Sequence, residues 1–225
     1  MAKEIENEKK LAAKEAVKSI KNNQIVGLGT GSTADYAIME IGKMVKNGLQ
    51  IRAVSTSNKT KRLAESLNIS LIDINSITSI DITIDGADEF TDDLILVKGG
   101  GGALLKEKIV ASITKLEIII VDSTKKVDFP GKFKLPVEVI PFAVNYVLSQ
   151  IQLLKGFGQI RIVFGKPFIT DNGNYIIDAD FGLIKTPASL SDKLNSIEGI
   201  VAHGLFINLA NKIIMVENDT TITFV

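Results

Sequence analysis

The chain has 225 residues, enough for one large domain or two smaller ones with a well-buried core. Its 26 basic and 26 acidic residues cancel, so no long-range positive field exists to attract nucleic acid or an anionic membrane. The absence of cysteine excludes disulfides, thiolate nucleophiles and iron–sulfur clusters, and the single histidine excludes the common multi-histidine metal sites. No apolar run is long enough to span a bilayer and the charged N-terminal stretch lacks a signal-peptide core, so we expect a cytoplasmic protein.

The first 130 residues alternate short runs rich in Ile and Val with helical segments. An amphipathic helix is expected over 4–22, because its apolar residues share one helical face. Further strands are expected at 24–28, 51–55, 69–74, 80–84, 94–97 and 117–121, and further helices at 34–46, 59–67 and 103–114. This order predicts an α/β fold with a mostly parallel sheet covered on both faces, which binds ligands at the carboxyl ends of its strands.

The pattern changes near residue 130, after which all five prolines lie. Strands are expected at 135–140, 160–164 and 175–180, with helices at 141–154 and 189–196, which is typical of a smaller α+β domain. The segment 213–217 is expected to rejoin the first sheet. The sequence therefore predicts a sheet domain made of 1–130 plus 204–225, with a smaller inserted domain at 131–203.

The first motif with chemical potential is a glycine-rich loop, Gly27-Leu-Gly-Thr-Gly-Ser-Thr33, between a strand and a helix. Backbone N–H groups at a helix start and the hydroxyls of Thr30, Ser32 and Thr33 favour an anion, and a plain tight turn remains open. No Gly-Lys-Ser/Thr follows, which excludes a Walker A loop. A dinucleotide fingerprint is disfavoured because Ser32 replaces its third glycine and no acid follows the next strand.

The second motif is acidic, Asp85-Gly-Ala-Asp-Glu89, directly after an expected strand. Carboxylates three residues apart, at Asp85 and Asp88, can face one pocket and move the hydroxyl protons of a polyol. Two alternatives stay open: a magnesium site that includes Asp92 and Asp93, and a solvated acidic loop.

The third motif starts with Lys98 and continues through four glycines into a helix that carries Glu107. Four glycines are costly in chain entropy, so a close approach of the backbone to a ligand is favoured over a flexible linker inside a βα unit. A glutamate beside an ammonium group suits proton transfer next to a carbonyl, with the glutamate as base. If the other motifs are left aside, Glu107 is interpreted as an exposed acid that the helix dipole stabilises.

Weaker candidates complete the set. Lys125 and Lys126 follow a strand end and Lys9 and Lys10 lie on the first helix, so each pair either reaches a phosphate or is simply solvated. The lone His203 is interpreted as a structural residue.

Taken in order, these segments resemble the A-type ribose-5-phosphate isomerase family. The stretches that carry the resemblance are 25–33, 85–89, 98–104, 107–109, 131–133 and 135–141, which span most of the chain in the family's order. The resemblance implies a Rossmann-like domain with an inserted smaller α+β domain. It also implies a metal-free, cofactor-free dimer or tetramer that acts on a small sugar phosphate in the non-oxidative pentose phosphate pathway.

The resemblance assigns roles residue by residue. Glu107 matches the family's proton-shuttling glutamate, and Lys98 matches the lysine that stabilises the enediolate. Asp85 and Asp88 match the paired aspartates that assist ring opening and hydroxyl proton traffic. Substrate binding is implied for Thr30, Gly31, Ser32, Thr33, Asp85, Gly86, Ala87, Asp88, Lys98, Gly99, Gly100, Gly101 and Lys125, with Lys9 as a further phosphate contact.

Three other classes of protein resemble this family in fold. Coenzyme A transferases and sugar-phosphate deaminases are similar in fold, and a transferase uses its glutamate as a covalent nucleophile. Sugar-phosphate sensors of transcription regulators are non-enzymatic relatives, but they need a DNA-binding module that this chain has no spare length to hold. The Lys98/Glu107 and Asp85/Asp88 pairs favour an isomerase.

Overall fold

The structure is a computed structural model that describes residues 2–225. The chain folds into two compact units. The first unit consists of the chain up to Ala87, Lys106–Lys125 and Asn208–Val225, and the second consists of Asp88–Leu105 and Lys126–Ile207. No helix within residues 2–225 combines the length and the apolar character needed to cross a membrane.

The regular elements follow the chain in a mixed order. The helices are α1 (Ala2–Val17), α2 (Ser32–Lys46), α3 (Asn58–Ser66), α4 (Leu104–Ser112), α5 (Val144–Leu153) and α6 (Pro187–Asn195). The strands are β1 (Ile25–Leu28), β2 (Arg52–Ser55), β3 (Ile82–Asp85), β4 (Glu89–Phe90), β5 (Leu96–Val97), β6 (Glu117–Asp122), β7 (Leu135–Val139), β8 (Phe157–Ile160), β9 (Ile162–Val163), β10 (Lys166–Pro167), β11 (Tyr175–Asp180), β12 (Ile200–His203), β13 (Leu205–Phe206), β14 (Lys212–Glu217) and β15 (Thr220–Phe224).

The first unit is built on a six-stranded sheet in the order β15-β14-β6-β3-β1-β2. All neighbouring strands run parallel except β15, which is antiparallel to β14. Every residue of β6 is buried, including Ile118, Ile119 and Ile120, as expected for a central strand covered on both faces. The predicted α/β class with a mostly parallel sheet is confirmed, and so is the return of the chain to this sheet through β14.

Small side chains let α1 lie close to the sheet. Ala12, Ala13 and Ala16 are fully buried in the same apolar core as the strand residues. The helix ends at Val17, earlier than the predicted residue 22, because the next N–H groups bond three residues back rather than four. Asn23 then takes a left-handed conformation with φ 66° and returns the chain toward β1.

Two predicted strands of the first half differ in the structure. The apolar run 69–74 contributes only one bridge, from Leu71 to Ala53, because Asp73 caps a 3-10 turn at Ile74–Ser76. In the run 94–97, Leu94 has a positive φ of 57° and only Leu96–Val97 is a strand. That strand joins a separate antiparallel sheet in the order β13-β5-β4.

The second unit is centred on an antiparallel four-stranded sheet in the order β12-β7-β11-β8. Val144, Val147 and Ile151 recur at helical spacing on α5 and lie in the same buried cluster as β7. The hairpin turn at 170–174 is fixed by a buried acid, because Thr170, Asn172 and Asn174 all donate to Oε1 of Glu138. The carboxylate of Glu138 on β7 therefore holds the Asp171-Asn-Gly-Asn174 turn in place.

Candidate active site

The first glycine-rich loop lies over the carboxylate of Asp85, which ends β3. A Cβ atom at Gly29 would lie 2.1 Å from Oδ1 of Asp85, so only glycine leaves room for this close approach. Oδ1 accepts the N–H groups of Thr30 at 3.0 Å and Gly86 at 2.7 Å. Asp85 is 1% exposed. This carboxylate therefore fixes both the loop and the start of its own acidic motif.

The hydroxyl of Thr30 belongs to a cluster of side-chain hydroxyls inside the first unit. It donates to Ser57 at 2.9 Å and lies 2.8 Å from the hydroxyl of Thr56 and 3.1 Å from that of Thr60. Thr60 in turn donates to the carbonyl of Gly29 at 2.8 Å. These hydrogen bonds brace the loop from within, and the role of Thr30 as a donor to substrate stays a prediction.

The loop runs directly into α2 through Gly31, which adopts φ 125° and ψ 170°. Glycine provides no side chain to cap the first N–H groups of the helix, so Ser32 and Thr33 present them at the positive end of a 15-residue helix. Ser32 is exposed and Thr33 is buried. This arrangement is typical of a helix start that accepts an anion.

Glu107 lies in the first turn of α4, which begins at Leu104. Glu107 is only 4% exposed to solvent. The alternative of a solvated first-turn acid is therefore wrong. Burying a carboxylate costs free energy unless surrounding groups compensate. The burial of Glu107 therefore favours a specific functional role over an interaction with the helix dipole alone.

Burial also affects the next residue on α4, because it lowers the pKa of Lys108 from 10.5 to about 8. Between these values the unfolded chain holds a proton that the folded protein has released, so the free energy of unfolding rises with pH across this window. The penalty is fully present below about pH 8 and disappears as the pH approaches 10.5. We expect Lys108→Met to abolish this rise, because the variant has no titratable group at this position.

Urea denaturation from neutral pH to pH 10 measures this effect, with Lys61→Met as the control, since the Lys61 side chain is 58% exposed. Identical pH slopes for the wild type and Lys108→Met would contradict the assignment of the shift to Lys108.

The two candidate phosphate lysines of the first unit lie on α1 and after β6. Lys9 is 14% exposed and donates to Glu6 at 2.7 Å. The hydrogen bonds from Lys9 and then from Tyr36 hold the pKa of Glu6 below its ordinary value. Lys125 ends the 3-10 turn Ser123–Lys125.

A residue that the sequence did not single out ties these two segments together. Glu8, at 6% exposure, accepts both the backbone N–H of Ser123 at 3.0 Å and its hydroxyl at 2.8 Å. The turn is fixed further by Asp122, which accepts the N–H of Thr124 at 3.1 Å. Glu8 thus positions the turn that carries Lys125, from the helix position next to Lys9.

In the second unit, Asp88 accepts a backbone N–H of the glycine run, as Asp85 does from the first glycine-rich loop. Oδ2 of Asp88 accepts the N–H of Gly100 at 2.7 Å. A Cβ atom at Gly100 would lie 2.5 Å from the other carboxylate oxygen. Both aspartates of the acidic motif therefore hold the backbone of a glycine loop, each within its own unit.

Lys98, at the start of the glycine run, is only 2% exposed. Its backbone N–H donates to the carbonyl of Gly204 at 2.9 Å, and its ammonium nitrogen lies 5.5 Å from the centre of the Phe206 ring. The face of an aromatic ring attracts an ammonium ion and stabilises it when it is removed from water. The hydrogen bonds along the run also show that the flexible-linker alternative is wrong.

Asp92 and His203, two of the remaining candidates, have structural partners. Asp92 pairs with Lys126 at 2.9 Å, and residues 2–225 contain no group of three or more Asp, Glu or His side chains arranged to hold a metal ion. His203 is 1% exposed; its Nδ1 accepts the N–H of Leu205 at 3.3 Å, and its Nε2 lies 3.0 Å from the side-chain oxygen of Asn195. His203 therefore stabilises the second unit, as its interpretation as a structural residue requires.

Comparison with known proteins places this chain among enzymes that interconvert sugar phosphates. The family profile described as Ribose 5-phosphate isomerase A (phosphoriboisomerase A) matches residues 52–220. The ribose-5-phosphate isomerase A of Sphingopyxis alaskensis is 44% identical over 212 residues, which cover 94% of this chain and 93% of the relative. That of Streptococcus agalactiae is 49% identical over 209 residues, covering 92% and 93% of the two chains.

Solved structures agree. A D-ribose-5-phosphate isomerase in complex with phospho-erythronic acid superposes with a TM-score of 0.94 at 37% identity, covering 97% of this chain and 98% of that one. The fold and these matches define an isomerase of the aldose–ketose class. The chain belongs to the ribose-5-phosphate isomerase A family, and it is a ribose-5-phosphate isomerase.

Proposed function

We propose that Glu107 is the base that moves a proton between C2 and C1 during the interconversion of D-ribose 5-phosphate and D-ribulose 5-phosphate. The observation that carries this assignment is a carboxylate kept 4% exposed in the first turn of α4, in a chain that belongs to an isomerase family. A glutamate held in a fixed position is one of the side chains that act as general bases in proton transfer.

The chemistry needs three operations. Glu107 takes the proton from C2, the electron pair of that bond forms an enediolate, and the same carboxylate returns a proton to C1. The negative charge that develops on oxygen is stabilised by the ammonium group of Lys98 and by backbone N–H groups of the glycine run. Asp85 and Asp88 assist ring opening and move the hydroxyl proton from O2 to O1, so the proton count balances.

Substrate binding is assigned to the three loops and to two lysines. The residues are Thr30, Gly31, Ser32, Thr33, Asp85, Gly86, Ala87, Asp88, Lys98, Gly99, Gly100, Gly101, Lys125 and Lys9. The uncapped start of α2 and the two lysines supply positive charge for the phosphate, whose binding free energy positions the reacting carbons. We expect phospho-erythronic acid, which combines a phosphate with a carboxylate, to compete with ribose 5-phosphate.

Turnover in deuterium oxide tests the proton-transfer mechanism. A carboxylate that exchanges its proton with solvent during the enediolate's lifetime introduces deuterium at C1 of ribulose 5-phosphate, and NMR of the product detects it. A direct hydride shift from C2 to C1 introduces none. Product that carries no solvent deuterium under conditions of full conversion would contradict Glu107 as a proton shuttle.

The biological setting that we propose is the cytoplasm and the non-oxidative pentose phosphate pathway, with no cofactor and no nucleic-acid or membrane partner. We also propose a homodimer or homotetramer. Phe142 and Phe164 of the second unit are 98% and 100% exposed, and a second copy of the chain would remove such apolar surface from water. Sedimentation equilibrium tests this assembly, and a monomer at working enzyme concentration would exclude it.

A further inference from the structure

Arg161 is one of only three arginines in the chain and lies between β8 and β9 in the second unit. Its backbone is fixed on both sides, since its N–H donates to Ile176 at 2.7 Å and its carbonyl accepts from Phe168 at 2.8 Å. Its side chain is 12% exposed. A mostly buried guanidinium in a fixed backbone position has a defined direction, which makes its partners informative.

The guanidinium joins an acid on one side to the glycine run on the other. Nε and Nη2 donate to the two carboxylate oxygens of Asp178 at 2.9 and 2.5 Å, in the bidentate geometry that arginine favours. Nη1 donates to the carbonyl oxygens of Gly99 at 2.9 Å and Gly100 at 3.1 Å. Asp178 therefore holds the cation while the cation holds two consecutive carbonyl groups.

These contacts fix the direction of the N–H groups in the run. In a trans peptide the C=O and N–H groups point to opposite sides, so a carbonyl held by Arg161 directs the next N–H away from it. The peptide between Gly99 and Gly100 shows this directly, because its carbonyl accepts from Arg161 and its N–H donates to Asp88 at 2.7 Å. By the same geometry the N–H of Gly101 points away from the guanidinium.

A run of glycines needs such an external restraint. Glycine loses more conformational freedom on folding than any other residue, and this run includes positive φ angles at Gly99 (106°) and Gly102 (78°). Packing adds a second restraint, since a Cβ atom at Gly102 would lie 2.4 Å from the ring of Phe168 and Arg161 lies 5.9 Å from the centre of that ring. Arg161 thus contacts the run directly and through Phe168.

We propose that Arg161, held by Asp178, is a positioning residue that orients the two peptide planes between Gly99 and Gly101, so that the N–H of Gly101 stabilises the enediolate. This role rests on the proposed function of the Lys98–Gly101 run. Arg161 does not touch the reacting atoms itself. Lysine cannot replace it, because an ammonium group lacks the planar fork that reaches Asp178 and two carbonyls together.

The test compares Arg161→Lys and Arg161→Ala with Arg62→Ala, an exposed arginine of α3. We expect both Arg161 variants to lose about 10- to 100-fold in kcat per folded molecule, because slightly misplaced donors weaken transition-state stabilisation strongly. Binding of ribose 5-phosphate, measured by calorimetry in a Glu107→Gln background, should change by only a few-fold. The Arg62→Ala control should keep wild-type kcat and KM.

Chemical rescue separates positioning from general stabilisation. Arg161 and Gly100 line a cleft of about 600 Å³, so a small cation can reach the space that Arg161→Ala opens. Millimolar guanidinium should raise the kcat of Arg161→Ala and leave that of Arg62→Ala unchanged. Asp178→Asn provides a further variant should Arg161→Ala fail to fold, and we expect its kcat to fall in the same direction.

If Arg161→Lys keeps the wild-type kcat while Lys98→Met is impaired, the positioning role of Arg161 is overturned and the proposed site is retained. A loss of thermal stability in Arg161→Ala with unchanged kcat per folded molecule would overturn it as well. Failure of the proposed site is a different result, because it would show as normal turnover in Lys98→Met, which leaves Arg161 intact.

Discussion

Glu107→Gln should reduce kcat for ribose 5-phosphate isomerisation by about 10³-fold, within the range that a positioned general base contributes. Glutamine keeps the size and the hydrogen-bonding oxygen of the side chain, but its amide cannot take the C2 proton. Binding of ribose 5-phosphate should change by only a few-fold, because this residue acts on the reacting carbons rather than on the phosphate. Steady-state kinetics and calorimetry measure the two quantities separately.

Glu65→Gln is the matched control, since Glu65 also lies on a helix but its side chain is 54% exposed. Its kcat should equal that of the wild type. Turnover by Glu107→Gln within a few-fold of the wild type would remove Glu107 from the mechanism. A parallel loss of binding and turnover would instead indicate that the buried carboxylate acts only on the structure of α4.

The second large effect is expected at Lys98. Lys98→Met keeps the length of the side chain and its contact with Phe206, but it removes the charge that stabilises the enediolate. We expect kcat to fall by about 10² to 10³-fold, the cost of losing one pre-aimed donor, with a smaller change in KM. Both constants are measured with ribose 5-phosphate.

Removing a buried charge can also change stability, so thermal unfolding of Lys98→Met should be measured beside its kinetics. Because an apolar side chain of similar volume replaces a desolvated ammonium, we expect the variant to fold. Lys61→Met, at the exposed surface of α3, controls for the loss of one positive charge. A folded Lys98→Met with normal kcat would show that the ammonium group does not stabilise the transition state.

Local sequence patterns were sufficient for the main sheet and for the positions of the motifs. The Ile- and Val-rich runs of β1, β3 and β6 are buried on both faces, which is why their composition identified a parallel sheet. The run 69–74 has a similar composition but forms a single bridge, because its Asp73 stabilises a turn instead. Composition alone does not distinguish these cases; the capping hydrogen bond does.

The support of the candidate site was less predictable, since it depends on long-range contacts. Arg161 is 62 residues from Gly99, and nothing in the pattern around it indicates that its side chain reaches the glycine run. Glu8 contacts Ser123 across 115 residues, and its spacing on α1 resembles that of any polar helix position. The hydroxyl of Thr30 lies within hydrogen-bonding distance of those of Thr56, Ser57 and Thr60, contacts that the spacing of its motif does not indicate. Sequence spacing therefore does not reveal the residues that hold a candidate site in place.

The most direct test of the central claim is the initial rate at which the purified protein forms ribulose 5-phosphate from ribose 5-phosphate, with EDTA present and no cofactor added. We predict rapid turnover that saturates with ribose 5-phosphate and is unaffected by the chelator. Ribose 5-phosphate that binds without any conversion would contradict the isomerase account, and turnover abolished by EDTA would contradict the metal-free mechanism built on Glu107 and Lys98.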